Sequence, residues 1–332
     1  MILTVTLNAA IDRTVAVPNF RLGYRHRAVE ATTIAGGKGV NVARALKLLG
    51  RPVIATGLAG GPTGTRILER LAEEAILNDF TRIEGESRTN LAVVDPTSGE
   101  QTEINERGPE VSTGEIDLFV EKLCYLAQGA RLCVLAGSVP PGTAADVYAR
   151  LIGELRTLGV PCILDSDGEP MRAGLRAEPS VVAPNVLEAE AAVGHEFNDP
   201  DDLALGVSGL IEMGAGEAII THENGCVAIV GEGENGAPLG RRAGEAPAGT
   251  RYEVEIEPLE PISTVGSGDS FLAGYVAARY EGGTPRECLA YGVAAGAEST
   301  QHFGAGTLDR REVERLLPKV EAREVEVPAT VS

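Results

Sequence analysis

The chain has 332 residues, 43% of them hydrophobic, enough apolar material for one large α/β domain or two smaller ones. Asp plus Glu number 48 against 29 Lys plus Arg, and the formal charge of −19 argues against binding nucleic acid or an anionic membrane through the overall field. The five cysteines show no Cys-x-x-Cys spacing and read as reduced core thiols of a cytoplasmic protein; no secretory signal and no membrane-spanning apolar run is expected.

Ile2–Leu7 alternates apolar residues with threonine and runs into Asn8-Ala-Ala-Ile-Asp12. Polar residues at the C-terminal end of such a strand suit the ligand crevice of an open α/β sheet. Asp12 is a candidate for sugar hydroxyls, or more simply a loop carboxylate or helix cap. Short β-like pieces follow over residues 14–30, around Arg21-Leu-Gly-Tyr-Arg-His-Arg27, which is either a solvated loop or the edge of a site for an anionic substrate. In Ala35-Gly-Gly-Lys-Gly-Val-Asn41, glycines precede a helical pattern in Val42, Ala45, Leu46 and Leu49. Lys38 and the turn amides suit a polar or anionic group and Asn41 a hydroxyl, although a plain glycine turn with a local cap explains the same residues.

Pro52–Gly57 predicts a strand and Gly60–Gly64 a turn into a helix ending near Ala75. Ser87–Val94 and Gln101–Glu106 predict two short strands that, with those near 14–30, make a small sheet serving as a lid that excludes water. From about residue 111 helices and strands alternate, which favours a parallel sheet flanked by helices. Predicted strands at Leu132–Ala136, Pro161–Leu164 and Val181–Ala183 end at Gly137-Ser138, Asp165 and Asn185-x-x-Glu188. Asp165 and Glu188 suit direct or water-mediated Mg²⁺ binding, and Asn185 with Glu188 equally suits a capping box. Glu217–Thr221 and Cys226–Val230 predict a hairpin, followed by an exposed excursion over 231–250.

The stretch Ser263–Tyr275 carries the strongest local chemistry. Gly266-Ser267-Gly268 lies where a loop becomes the first turn of a helix with Phe271, Leu272, Tyr275 and Val276 on neighbouring faces. Free amides at such a terminus hold an anion, and Asp269 within the turn supplies a base, the pairing that phosphoryl transfer to an alcohol requires. A tight turn with a dipole-stabilising aspartate accounts for the same residues. No Gly-x-x-x-x-Gly-Lys-Ser/Thr motif is present, so a P-loop is excluded.

Taken in order, Thr6–Asp12, Gly36–Asn41, Arg88-Thr-Asn90, Gly137–Gly142, Asp165–Glu169, Pro184-Asn-x-x-Glu188 and Ser263–Asp269 resemble the ribokinase-like, phosphofructokinase-B family, and its hexose-phosphate branch above all. The match spans roughly residues 2–318. The resemblance implies a doubly wound, mostly parallel α/β domain (1–12, 34–86 and 108–320), a β lid (13–33 and 87–107) that dimerises, and a tail over 321–332. It implies an ATP- and Mg²⁺-dependent kinase acting on fructose 1-phosphate, fructose 6-phosphate or tagatose 6-phosphate. Asp269 would be the base and Gly266, Ser267 and Gly268 the anion hole. Asp12, Gly37, Lys38, Asn41 and Ser138 would line the sugar site, with Arg88 and, as a helper, Arg27 on the substrate phosphate. Asn185, Glu188, Thr221 and Gly225 would serve the nucleotide, and Asp165 with Glu188 the metal.

Several positions depart from the family pattern. Ala9 replaces a proline, Ala183 replaces a lysine, and Thr221-His-Glu-Asn-Gly225 makes the nucleotide loop a residue shorter or deprives it of its first glycine. Ser267 replaces an alanine, which should preserve the backbone amides. Kinase action on an unphosphorylated sugar or nucleoside, and a non-catalytic sugar- or nucleotide-binding regulator, are the two other readings the sequence leaves open.

Overall fold

The computed structural model describes residues 1–231 and 249–325. In chain order the first elements are β1 (Ile2–Thr6), β2 (Ala10–Ala16), β3 (Glu30–Gly36), α1 (Lys38–Leu48), β4 (Val53–Gly60), α2 (Gly61–Glu73), β5 (Leu77–Ile83), β6 (Arg88–Val94) and β7 (Gln101–Ile104). The alternating half follows with α3 (Thr113–Ala127), β8 (Leu132–Ala136), α4 (Val147–Thr157), β9 (Cys162–Asp165), α5 (Gly168–Leu175), β10 (Val181–Val182), α6 (Val186–Val193) and α7 (Pro200–Glu212). The chain closes with β11 (Glu217–His222), β12 (Gly225–Val230), β13 (Thr250–Glu255), α8 (Ser267–Tyr280), α9 (Pro285–Ser299), α10 (Arg310–Leu316) and β14 (Glu321–Val325).

Ten strands form one sheet in the order β14-β13-β12-β11-β10-β9-β8-β1-β4-β5, parallel from β5 to β11 and antiparallel beyond. The interior strand β1 is buried on both faces, which is why it reads as an apolar and β-branched run. Its pleat sends Ile2 to the side packed by α1, α8 and α9, and Leu3 and Val5 to the side packed by α3, α4 and α7, so two apolar clusters sandwich the sheet. The chain leaves β1 for β4 on one flank and later returns to β8 on the other. This reversal opens a crevice at the C-terminal ends of the strands, where Asn8, Gly137 and Asp165 emerge.

A second sheet, β3-β2-β6-β7, stands over that end, in the place expected for the lid. Two of its strands reach past the expected boundaries: β2 begins at Ala10 and the edge strand β3 runs to Gly36, so the strand pair leads straight into the Gly36–Lys38 turn. Two expectations change. Residues 321–325, read as tail, form β14 and pair with β13, while 326–332 lie outside the described residues. Of the excursion over 231–250, residues 232–248 likewise lie outside them, and Thr250 already belongs to β13. All five cysteines are free and four are buried. No helix among the described residues is long and apolar enough to cross a membrane.

Candidate active site

Two helix N-termini meet above β1. Gly37 caps α1 with φ 106°, and Gly266 caps α8 with φ 78°, both conformations that favour glycine. Gly266 also has no room for a side chain, since a Cβ would come within 2.6 Å of Ala305 Cα. Gly268 differs: nothing lies within 4 Å of where its Cβ would be, so the first turn of α8 opens onto empty space. The Ser267 N–H donates to the Thr264 carbonyl at 3.2 Å, which leaves the Gly268 and Asp269 amides as first-turn donors without an intrahelical acceptor.

Asp269 is buried beneath this turn and accepts from Asn41 Nδ2 at 2.8 Å. Burial pushes its carboxyl up to about 7; Asp165 and Glu188 add to the rise, while Lys38 and the Asn41 hydrogen bond oppose it. Lys38 Nζ sits 2.8 Å from Asp165 Oδ1 and 2.9 Å from Glu188 Oε1. Burial works against its ammonium, but the carboxylates of Asp165, Glu188 and Asp269 outweigh that and hold the amine protonated far above its ordinary range. The Asp165 carboxyl is in turn raised by burial, with Lys38 pulling against it.

Lys38 belongs to two cavities at once. One, of about 400 Å³, lies under the second sheet and is lined by Asp12, Gly37, Asn41, Arg88 and Ser138. The other, of about 610 Å³, is lined by Asn185, Glu188, Thr221, Gly225 and the Gly266–Asp269 turn. Lys38, Asn41 and Asp269 form the boundary between them.

In the first cavity Asp12 Oδ1 accepts from Asn90 Nδ2 at 2.8 Å. Burial raises the Asp12 carboxyl, against the pull of Asn90 and Arg88. Arg88 donates from Nε to the Asn8 carbonyl at 3.1 Å and from Nη1 to the Glu106 carbonyl at 3.0 Å, so its plane is fixed by backbone. Ser138 Oγ accepts from Asn8 Nδ2 at 3.2 Å. Arg27 is exposed and lines neither cavity; the 21–27 segment is a solvated loop in which His26 and Arg21 bond to each other.

In the second cavity Asn185 and Glu188 form a full capping box on α6: Asn185 Oδ1 accepts from the Glu188 N–H and Glu188 Oε2 from the Asn185 N–H, each at 2.9 Å. Glu188 thus caps a helix with one oxygen and holds Lys38 with the other. The altered 221–225 segment is a tight hairpin in which His222 pairs with Gly225 across a two-residue Glu223-Asn224 turn. Gly225 is packed so closely on β13 that a Cβ would fall 1.9 Å from the Val254 carbonyl oxygen.

The profile of the pfkB family carbohydrate kinases matches residues 3–311. The chain belongs to this family. It is 31% identical over 325 residues to the 1-phosphofructokinase of Borreliella burgdorferi, covering 98% of this chain and 99% of that one. Among solved structures, phosphofructokinase-2 from Escherichia coli in complex with potassium superimposes with a TM-score of 0.85 at 28% identity, covering 96% of this chain and 98% of that one. A possible 1-phosphofructokinase from Thermotoga maritima gives 0.84 at 25% identity, over 98% and 100%. This pfkB protein is a phosphofructokinase-like kinase on a ribokinase-like α/β fold.

For a pfkB kinase the metal question has a defined shape here. Among the described residues no group of three or more His, Cys, Asp or Glu side chains is placed to hold a metal alone. Mg²⁺ carried by a nucleotide needs less, one or two carboxylates with phosphates and waters supplying the rest, and Asp165 and Glu188 are of that type. Their near oxygens hold Lys38, which is thus paired with carboxylates where it lines both cavities. Lys38 reaches from α1 into the cavity that Ala183 also lines. Sequence reasoning left Asn8, Arg44 and Glu74 out of the site. An arginine within the apolar run Val42–Leu46 was the available signal for Arg44.

Proposed function

We propose that this pfkB kinase transfers the γ-phosphoryl group of ATP to a hydroxyl of a phosphorylated ketohexose: fructose 1-phosphate, fructose 6-phosphate or tagatose 6-phosphate. The observation that carries the reading is a buried carboxylate, Asp269, at the N-terminus of α8 on the boundary between two cavities of suitable size. The sugar occupies the cavity under the second sheet, with Asp12 on its hydroxyls and Arg88 on its phosphate, a charge-assisted contact that a fixed guanidinium favours. The nucleotide occupies the other, its phosphates toward Gly266–Gly268 and Lys38.

Asp269 takes the proton from the acceptor hydroxyl as its oxygen forms the new P–O bond. The bond from the γ-phosphorus to the bridging oxygen breaks, and ADP leaves with that electron pair. The Gly268 and Asp269 amides and Lys38 stabilise the negative charge on the transferring group. Asp165 and Glu188 would hold Mg²⁺ brought with the nucleotide, which would neutralise phosphate charge there. The second sheet keeps water from competing as acceptor.

ADP release with MgATP tests the reading across the three sugar phosphates, free fructose, ribose and adenosine, with Asp269→Asn beside the wild type. Turnover of one sugar phosphate, reduced about 10²–10⁴-fold in the variant, is the expected result. Turnover of only a free sugar or nucleoside would move the acceptor class, and ligand binding without turnover on all six would point to a regulator.

A further inference from the structure

Arg44 lies in the middle of α1 at 6% exposure, and nothing in the mechanism above uses it. Its Nη1 donates to Asn41 Oδ1 at 3.1 Å and to the Ala305 carbonyl at 3.0 Å. Its Nη2 donates to the Ala35 carbonyl at 2.6 Å and to Glu74 Oε1 at 3.0 Å, and Nε donates to Glu74 Oε2 at 2.5 Å. One side chain therefore ties together the turn before Lys38, the amide of Asn41 and the loop on which Gly266 rests.

We propose that Arg44 is a positioning residue that keeps Asp269 in its ionised form by fixing the orientation of the Asn41 amide. The proposal rests on the reading of Asp269 as the base. A guanidinium has donors and no acceptor, so Asn41 must turn its oxygen to Arg44 and its NH₂ to Asp269. An amide held that way donates to a carboxylate but cannot accept from a carboxylic acid. Turned over, it would offer its oxygen to the protonated acid and stabilise the form that cannot act as a base. Arg44 closes off that second arrangement. The charged groups acting on Asp269 from the surrounding elements are Lys38 on α1, Asp165 at the end of β9 and Glu188 on α6. Burial with these neighbours leaves Asp269 near neutrality, where a single hydrogen bond decides how much base is present. The charge of Arg44 itself is neutralised by Glu74, so its influence runs through orientation.

The test is the pH profile of kcat/KM for wild type, Arg44→Met, Asn41→Ala, the double variant and Asp269→Asn. A hydrogen bond to a charged group corresponds to about one pH unit. Arg44→Met is expected to move the acid limb up by about that much, losing roughly tenfold in rate below the limb and recovering at high pH. Asn41→Ala should move it similarly, and adding Arg44→Met to Asn41→Ala should move it no further. If Arg44→Met does not fold, Arg44→Lys, which keeps the charge facing Glu74 but loses the fork, carries the same comparison. A loss uniform across pH, or shifts that add in the double variant, would overturn the positioning role while the base assignment stands. Full turnover in Asp269→Asn would overturn the base assignment and the positioning role with it.

Discussion

Arg88 and Arg44 show how the same side chain does different work according to what fixes it. Arg88 lines the first cavity and Arg44 is buried behind it in α1, and both donate to backbone carbonyls. Arg44 is closed off by Glu74, whereas Arg88 stays half-buried in the wall of the sugar cavity, its guanidinium plane set by Asn8 and Glu106. A pre-oriented cation of that kind is suited to a phosphate. Arg88→Ala is therefore expected to raise KM for the phosphorylated sugar by about 10–100-fold, the range for a lost charge-assisted hydrogen bond, and to leave KM for ATP near its original value. Steady-state titration of each substrate reads this directly, and equal effects on both substrates would remove Arg88 from the phosphate site.

The elements of the nucleotide cavity are tuned by packing more than by side-chain chemistry. Gly225 ends the two-residue turn and lies against β13 with no space for a methyl group. The obstruction is the Val254 carbonyl, a backbone atom that cannot swing aside, so Gly225→Ala must part β12 from β13. Overpacking of this sort costs about 1–3 kcal/mol. A lower Tm, together with a raised KM for ATP and an unchanged KM for sugar, is expected, and thermal unfolding beside substrate titrations checks it; an unaltered Tm would show that the hairpin yields freely. The element boundaries that the sequence missed have reasons of the same kind. β14, Glu-Ala-Arg-Glu-Val, carries the charges expected of an edge strand, so it reads locally as tail. The parallel interior strands, by contrast, are continuous apolar runs with turn residues at each end and were legible at once.

At the scale of the whole molecule, the fold holds an aspartate where its charge is unwelcome. Its carboxyl stands at about 7 in the folded chain and near 3.8 when unfolded. Below pH 3.8 both states are protonated and the group is neutral in its effect. Between about 4 and 7 the unfolded chain ionises while the folded one does not, so stability falls as pH rises through this window and is level above it. At about 1.4 kcal/mol for each pH unit in that window, the penalty reaches on the order of 4 kcal/mol. Asp269→Asn removes the ionisation, and the variant is expected to melt higher than the wild type by a margin that grows from pH 4.5 to 7 and then stays constant. Calorimetry of the two proteins across that range checks it, and a margin independent of pH would contradict it. Stability and the proposed chemistry are thus opposed at one residue.

The sequence by itself determined the α/β class, the two glycine turns at the heads of α1 and α8, and the candidate roles of Asp12 and Asp269, while the role of Arg88 came from the family resemblance. These rest on local periodicity, turn chemistry and short motifs, which a linear reading contains. Only the tertiary structure decided that Lys38 pairs with Asp165 and Glu188, 127 and 150 residues away, that Arg27 stays outside the site, and that Asn41 stands between Arg44 and Asp269. Those relations arise when the ends of β1, β9 and β10 and the heads of α1 and α8 are brought to one crevice. Whether a charged side chain meets a ligand or a protein partner depends on that packing, and no local pattern encodes it.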